Sequence, residues 1–160
     1  MRNKFFILLL ISLAFQISAE KLEVLKPSKA TLTMNAGDME VWLEKKDNNI
    51  WEMGSNVDGG RVFQREEISI FELKDNSVIP LDHKIKMKIL FKKIKASARF
   101  NWESYTLDYK EGKNQGSLNL INGTLGPATA QLKMRLDLRA MDINALPEKI
   151  KYLVYFRGEI

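Results

Sequence analysis

The chain has 160 residues, and its 25 Lys or Arg against 20 Asp or Glu give a net charge of +5. This excess is too small to predict nucleic-acid binding. With no Cys and a single His, disulfide bonds and zinc or copper sites of the His/Cys type are excluded.

The N-terminus has the three parts of a secretory signal peptide. Arg2 and Lys4 form the charged start, residues 5–17 are apolar, and Ile17-Ser18-Ala19 suits cleavage before Glu20. The apolar run is too short to cross about 30 Å of hydrocarbon, which disfavours an uncleaved anchor. No later segment is a transmembrane candidate. We expect an exported chain of 160 − 19 = 141 residues with a charge of 23 − 20 = +3.

Residues 20–29 are polar, include Pro27, and are predicted to be a flexible lead-in. Residues 30–160 then form one domain of short strands separated by turn residues. The strand from Val62 to Leu73 has apolar residues on both faces, which predicts a central position or a covering helix. The other predicted strands are Ala30 to Met34, Met39 to Leu43, Ile50 to Val57, Tyr105 to Tyr109 and Gly116 to Ile121.

The clearest pattern is a hairpin from Leu81 to Trp102. Apolar and mostly basic residues alternate along both arms, so each arm has one buried face and one wet, basic face. A turn at Lys92-Lys93 brings the apolar residues of the two arms together. It predicts the pairs Phe91 with Ile94, Ile89 with Ala96, Met87 with Ala98, and Ile85 with Phe100.

The segment from Ala128 to Met141 gives conflicting signals. Its Leu and Met residues fall on even positions, which is a strand period, whereas its lack of β-branched residues from Ala130 onward is typical of a helix. Because Pro127 suits a first helical position, we predict a helix. A last strand is predicted from Lys149 to Arg157. The fold class is therefore mainly β with one helix: a curved antiparallel sheet or incomplete β-barrel wrapped around one C-terminal helix.

These features together resemble a bacterial exported family, domain-of-unknown-function family 3108. The matching segments span Ala30 to Ile160, and they are ATLTMNAGDMEVWLE, QREEISIFELKDNSVIPLDHKIKM, ARFNW, QLKMRLDLRA and YLVYFRGEI. The resemblance implies a β-rich periplasmic protein of the Gram-negative envelope and transfers no catalytic residue. Two departures stand out: Pro127-Ala128 replaces the family's Gln-Asp pair, and members usually continue past a motif like Tyr155 to Ile160. The resemblance therefore implies either a shortened member or a cut reading frame, in which the sheet is not expected to close fully.

Nothing in the sequence predicts a catalytic set or a cofactor. His83 is the only histidine, no Gly-x-Ser-x-Gly turn presents a serine, and the hairpin register places His83 opposite Trp102 at the apolar side. We interpret it as a core-edge imidazole that bonds to backbone rather than as a catalytic base. Glu66 and Glu67 are adjacent, so on a strand they face opposite sides and cannot form a glycosidase pair. We expect Glu66 and Glu72 to lie beside lysines of the hairpin.

Two groups of residues are candidates for binding. A basic hairpin face could contact lipid headgroups or lipopolysaccharide phosphates, or it could only protect a strand edge from aggregation. Its members are Lys84, Lys86, Lys88, Lys95 and Arg99, with Lys92 and Lys93 at the tip. Aromatic and imidazole side chains could line a ligand cavity or only fill the core. The candidates among them are Trp42, Trp51, His83 and Trp102.

Three functions follow from these patterns. The first is a non-enzymatic envelope module that binds an apolar or anionic ligand, such as lipid, lipopolysaccharide or an envelope glycan. The second is a scaffolding module whose open sheet edge pairs with a partner protein. The third, ranked last, is a glycan hydrolase that uses two carboxylates.

Overall fold

The computed structural model describes residues 25–34 and 37–160, and the predicted signal peptide lies outside the described residues. Eight antiparallel strands lie in one sheet in their chain order, so the sheet is not closed and β1 and β8 are its edges. The strands are β1 (Ser28–Met34), β2 (Gly37–Lys45), β3 (Ile50–Gly59), β4 (Phe63–Lys74), β5 (Ser77–Ile89), β6 (Lys92–Asn101), β7 (Thr106–Glu111) and β8 (Asn114–Asn119). The helix α1 (Pro127–Ala140) and a short 3-10 helix (Ile143–Ala145) follow. The predicted fold class, an antiparallel sheet with one C-terminal helix, is confirmed.

Helix α1 resolves the conflict between strand period and helical composition. Leu132 and Leu136, four residues apart, are buried against the sheet, whereas Met134 and Leu138 are exposed. Pro127 occupies the first turn, where its missing N–H is not needed. The Thr129 hydroxyl accepts a 2.8 Å hydrogen bond from the backbone N–H of Gly126. Helical composition therefore outweighs the apparent two-residue period.

The core consists of two apolar clusters on one face of the sheet. In the first, α1 packs over the middle strands, and Phe71 of β4 is fully buried. Its buried members are Leu25, Trp51, Phe71, Val78, Leu125, Leu132 and Leu136. In the second, Tyr155 of the C-terminal segment packs on β6 and β7. Its buried members are Ala98, Phe100, Leu107, Leu120 and Tyr155. Strand β4 is central, as the apolar residues on both of its faces predicted.

The hairpin of β5 and β6 forms, but its predicted register is wrong. Met87 pairs with Ile94 and Ile85 with Ala96, so the turn lies at Leu90-Phe91, two residues before the predicted Lys92-Lys93. Phe91 is 99% exposed instead of packing on Ile94. Each residue of β5 therefore pairs four positions earlier on β6 than predicted, for example Met87 with Ile94 instead of Ala98. The physical reason is that a shift by an even number of residues keeps every side chain on its own face. Alternation therefore fixes the buried face, but it leaves the register to the turn and to β4.

The predicted last strand, Lys149 to Arg157, is also wrong. This segment makes only isolated bridges, between Val154 and Leu125 and between Phe156 and Glu159. Side-chain burial holds it in place instead, because Tyr155 lies in the second cluster and donates its N–H to the Leu125 carbonyl at 2.8 Å. At the other end, β1 begins within the segment predicted as a lead-in, and Leu25 is part of the core.

Candidate functional site

A cleft opens where β5 and β6 separate. Their pairing ends at Asp82 and Arg99, although β5 starts at Ser77 and β6 continues to Asn101. Pro80 lies in the unpaired stretch, and proline has no N–H to donate to a neighbouring strand. The pairing of β5 with β4 also shifts register here, because Ile70 pairs with Asp82 but Phe71 pairs with Pro80. A proline and a bulge therefore create the opening.

The cleft has a volume of about 940 Å³, within the range of small-molecule sites. The Trp102 indole spans the gap between the strands and donates a 2.7 Å hydrogen bond to the Pro80 carbonyl. Apolar side chains make up much of the wall, and they are Val78, Ile79, Leu81, Phe100, Trp102, Leu125 and Leu153. The charged lining residues are Glu72, Arg99, Glu103, Lys133 and Lys151. The arrangement suits a ligand with an apolar body and a charged end.

A polar network on α1 supports the same wall of the cleft. Asp137 pairs with Lys133 one helical turn earlier and accepts a 2.8 Å hydrogen bond from the Tyr152 hydroxyl. Partial burial raises the pKa of Asp137, but these two hydrogen bonds lower it by more, so it lies below its ordinary value. Desolvation and the bond to Asp137 raise the pKa of Tyr152 to about 12. Tyr152 and Lys133, both cleft residues, are thus fixed by one carboxylate.

His83 lies on the buried face of β5, opposite Ser69 on β4 and Ala98 on β6. It is therefore not opposite Trp102, and its partner is a side chain: the Ser69 Oγ lies 2.7 Å from His83 Nδ1. The other nitrogen, Nε2, is buried without a hydrogen bond and lies 3.8 Å from a Glu67 carboxylate oxygen. Desolvation is the largest influence on His83 and lowers its pKa. The nearby charges of Glu67 and Asp82 raise this pKa, and that of Arg65 lowers it, so the pKa lies below the ordinary value. Ser69 is only 2% exposed, so a substrate cannot reach its hydroxyl.

The four aromatic and imidazole candidates do not meet at one place. Trp51 is buried in the first cluster, and His83 lies in the polar cluster with Ser69 and Glu67. The Trp42 ring covers Gly54, where a Cβ would lie 2.2 Å from Trp42 Cζ2, and its indole donates to Glu52 at 2.9 Å. Of the four, only Trp102 lines the large cleft.

The five basic-face candidates do share one side of the sheet. Lys86 lies directly opposite Lys95, and Asp82, on the same face, lies opposite Arg99. Glu66 pairs with Lys86 at 2.7 Å, as expected, whereas Glu72 lies opposite Ile79 and not beside a lysine. The register adds Lys93 to this face, opposite Lys88. We call Lys86, Lys88, Lys93 and Lys95 the lysine ladder.

Among the described residues, no group of three His, Cys, Asp or Glu side chains is arranged to hold a metal ion. Over the same part of the chain, α1 and the 3-10 helix lack the length and apolar character that a bilayer-spanning helix needs.

The chain matches no family model, no curated protein and no solved structure. The resemblance to family 3108 therefore stays a prediction from the sequence.

Most of the cleft was missed in the sequence because its walls come from distant segments. Val78, Phe100 and Leu153 are 22 and 53 residues apart along the chain (100 − 78 and 153 − 100), yet they line one space. One signal was present: Pro80 in the middle of an otherwise regular strand pattern marks a position where sheet pairing is interrupted. Lys151 and Tyr152 carried no such signal, because their segment was predicted to be a strand.

Proposed function

We propose that the protein is an exported, non-enzymatic binding module that holds an anionic amphiphile, such as a fatty acid or an acyl lipid, in the cleft between β5, β6 and the C-terminal segment. The supporting observation is the cleft itself, which combines a volume of about 940 Å³ and apolar walls with Lys133 and Lys151 among its lining residues. Lys133 already pairs with Asp137, and Arg99 lies 3.9 Å from Asp82. Among the described residues that line the cleft, Lys151 is therefore the cation that is available to a ligand.

One observation favours binding over catalysis. The lone histidine and its serine partner are both buried, at 5% and 2% exposure, so this pair cannot meet a substrate. The carboxylates that line the cleft, Glu72 and Glu103, are the candidates for the glycan-hydrolase alternative, which we rank below binding. Periplasmic location rests on the signal-peptide pattern and is part of this proposal.

Titration with a fluorescent fatty acid tests the proposal. Leu153 lines the cleft and is partly exposed, so Leu153→Trp fills part of the cleft without disturbing the core. We expect this variant to weaken binding by about tenfold or more, because each lost apolar contact and each displaced chain segment reduces affinity. Leu146→Trp is the matched control: Leu146 is similarly exposed and lies outside the cleft, so binding should not change. Absence of binding in the unmodified protein, or equal binding in both variants, would contradict the proposal.

A charge reversal tests the anionic end of the ligand. Lys151→Glu should weaken binding of the fatty acid by about tenfold, because an attraction becomes a repulsion near a partly desolvated site. Binding of the uncharged fatty alcohol should change much less. Lys149→Glu makes the same charge change two residues away, outside the cleft, and should leave both ligands unaffected. If Lys149→Glu has the same effect as Lys151→Glu, the head group does not bind at Lys151.

An exposed sheet edge favours a second function, the scaffolding module. Strand β8 (Asn114–Asn119) is an edge strand whose residues are exposed except for partly buried Leu118. It contains no charged residue and no Pro, the usual protection of a sheet edge. Every second residue of an edge strand directs its N–H and C=O outward, where a partner strand can bond to them. Ser117→Pro, which removes one edge donor, should abolish partner capture in cross-linking from periplasm if this function operates, and Thr33→Pro on the opposite edge should not.

A further inference from the structure

An exposed apolar group lies at one end of the sheet, where the β5–β6 turn meets the β3–β4 loop. Phe91 is 99% exposed, and Leu90, Val62 and Ile89 are also exposed. We call Val62, Ile89, Leu90 and Phe91 the apolar tip. The two loops are joined by a 2.8 Å hydrogen bond from the Leu90 N–H to the Val62 carbonyl. Since β5 ends at this tip and begins at the cleft, the two features lie at opposite ends of the strand.

The backbone holds the tip in a conformation that exposes its side chains. Leu90 has a φ of 53°, in the region that favours Gly or Asn. Two-residue hairpin turns that require positive φ usually carry those residues, because a leucine there is strained. Leucine at this position therefore costs stability and presents an apolar side chain to solvent. Neither effect serves the fold, which indicates a role in contacting something outside the chain.

Positive charge surrounds the apolar tip. The lysine ladder runs directly into the turn, with Lys88 opposite Lys93 and Lys86 opposite Lys95. Like charges directly opposite each other destabilise a sheet. Within the described residues, Lys88, Lys93 and Lys95 have no carboxylate oxygen within 4.0 Å of their ammonium groups. Lys92 and Arg61 are also exposed at this end.

The carboxylates near this end of the sheet are already engaged. Glu66 pairs with Lys86 at 2.7 Å. The Asp58 carboxylate accepts hydrogen bonds from the Gly60 N–H at 2.9 Å and from the Gln64 amide at 3.3 Å. The donors to Asp58 are neutral, so its charge remains, but it forms no ion pair with the ladder. Among the described residues, three of the four ladder lysines, Lys88, Lys93 and Lys95, are therefore without an ion pair.

We propose that the apolar tip inserts into the surface of an anionic phospholipid bilayer while the lysine ladder contacts its phosphate headgroups. Aromatic and aliphatic side chains gain by burial at the boundary between headgroups and acyl chains, and lysines beside them are attracted to anionic lipid. The combination distinguishes a bilayer from a protein partner, since an apolar tip beside a row of lysines, of which only Lys86 has an ion pair among the described residues, matches an anionic surface over an apolar layer. This surface is separate from the cleft and does not depend on ligand binding there.

Co-sedimentation with vesicles tests the proposal. The protein is purified after export and checked for loss of residues 1–19, because that apolar run would itself bind lipid. We expect binding to vesicles that contain phosphatidylglycerol and little binding to vesicles of phosphatidylcholine alone. Phe91→Ser should weaken binding by about tenfold or more, because the phenyl ring no longer enters the apolar layer. Phe156→Ser, which removes another exposed phenylalanine, should leave binding unchanged.

Two double variants test whether the charge of the lysine ladder contributes to vesicle binding. Lys88→Gln combined with Lys93→Gln should weaken binding by about fivefold for each lysine removed. Lys74→Gln combined with Lys149→Gln lowers the net charge equally, removes exposed lysines distant from the tip, and should have a much smaller effect. Equal effects of the two pairs would show attraction by net charge alone and would overturn the proposed orientation.

Tryptophan fluorescence measures directly whether the apolar tip inserts into the bilayer. In Phe91→Trp, the new indole should shift its emission to shorter wavelength on phosphatidylglycerol vesicles and be quenched by brominated acyl chains, whereas Phe156→Trp should show neither change. If the unmodified protein stays out of the vesicle fraction, the proposal is wrong and the tip is left to a protein partner.

Discussion

Leu90 donates its backbone N–H to the carbonyl oxygen of Val62, 2.8 Å away, while its own φ is 53°. This one bond joins the β5–β6 turn to the β3–β4 loop and sets the end of β5 at Ile89, opposite Phe63 of β4. The hairpin register is therefore fixed by a contact with a third strand as well as by the two arms themselves.

Leu90→Gly tests whether the turn is strained. Glycine adopts positive φ without a steric penalty, and little apolar burial is lost because Leu90 is already exposed. We expect the free energy of unfolding to rise by up to about 1 kcal/mol. Relief of strain in the folded chain raises it, and the greater entropy that glycine gives the unfolded chain offsets part of this gain. Chemical denaturation measures it. A clearly less stable variant would show that Leu90 packs usefully and is not strained.

Phe71 in the core and Phe91 on the surface form a matched pair of phenylalanines that tests which of the two contributes to stability. Phe71 is 0% exposed and Phe91 is 99% exposed. Phe71→Ala should lower the free energy of unfolding by about 3–5 kcal/mol, because it leaves a cavity under α1. Phe91→Ala should change it by less than about 0.5 kcal/mol. Comparable losses in the two variants, measured by urea unfolding, would contradict the register in which the turn lies at Leu90-Phe91.

His83 predicts a dependence of stability on pH. Its burial lowers its pKa in the folded chain below the value of 6.5 for the free group, so the unfolded chain takes up the proton first as the pH falls. The contribution of neutral His83 is therefore fully present above pH 6.5 and declines as the pH falls below it. His83→Gln keeps a polar partner for Ser69 but does not titrate. We expect its free energy of unfolding to decline less between pH 7 and pH 5, and an identical decline would contradict the assignment.

The hydrogen bond between Tyr152 and Asp137 is expected to make a second pH-dependent contribution to stability, which is lost in acid. Tyr152→Phe removes the hydroxyl that donates to Asp137, and we expect a loss of about 1 kcal/mol in the free energy of unfolding at neutral pH. Since the pKa of Asp137 is lowered in the folded chain, this stabilisation is present above the ordinary value of 3.8 and is lost as the pH falls through the folded value. The difference between the two proteins should therefore shrink in acid. Tyr105→Phe is the control, because the Tyr105 hydroxyl has no hydrogen bond within the described part of the chain.

Much of the fold could be predicted from the sequence because its elements carry local signals. Turn residues and two-residue periods predicted all eight strands, and Pro127 with a run of unbranched residues predicted α1. The predicted hairpin register was wrong because alternation is unchanged when the pairing shifts by an even number of residues, here four. The hydrogen bond between Leu90 and Val62, which helps to fix the register, is a tertiary contact. The last strand failed because Tyr155 holds that segment by burial and not by ladder pairing.

In the candidate sites, too, features set by local sequence patterns could be predicted, and features set by tertiary contacts could not. Alternation correctly placed Lys86, Lys88 and Lys95 on one face. Lys93 was predicted at the tip and joins the lysine ladder only through the observed register, in which it lies opposite Lys88. The pair of His83 with Ser69 depends on the register between β4 and β5, which no local pattern gives. The cleft depends on the separation of two strands and on a segment far along the chain, and Trp102 was found among its residues only because tryptophan is a common ligand contact.

Native mass spectrometry of the protein purified from the periplasm, without added ligand, tests the binding proposal most directly. We expect one bound acyl-chain lipid per chain in the unmodified protein and in Leu146→Trp, and its loss in Leu153→Trp. A protein that carries no lipid, and that also fails to take up a fatty acid when one is added, would contradict the assignment of the cleft as a binding site.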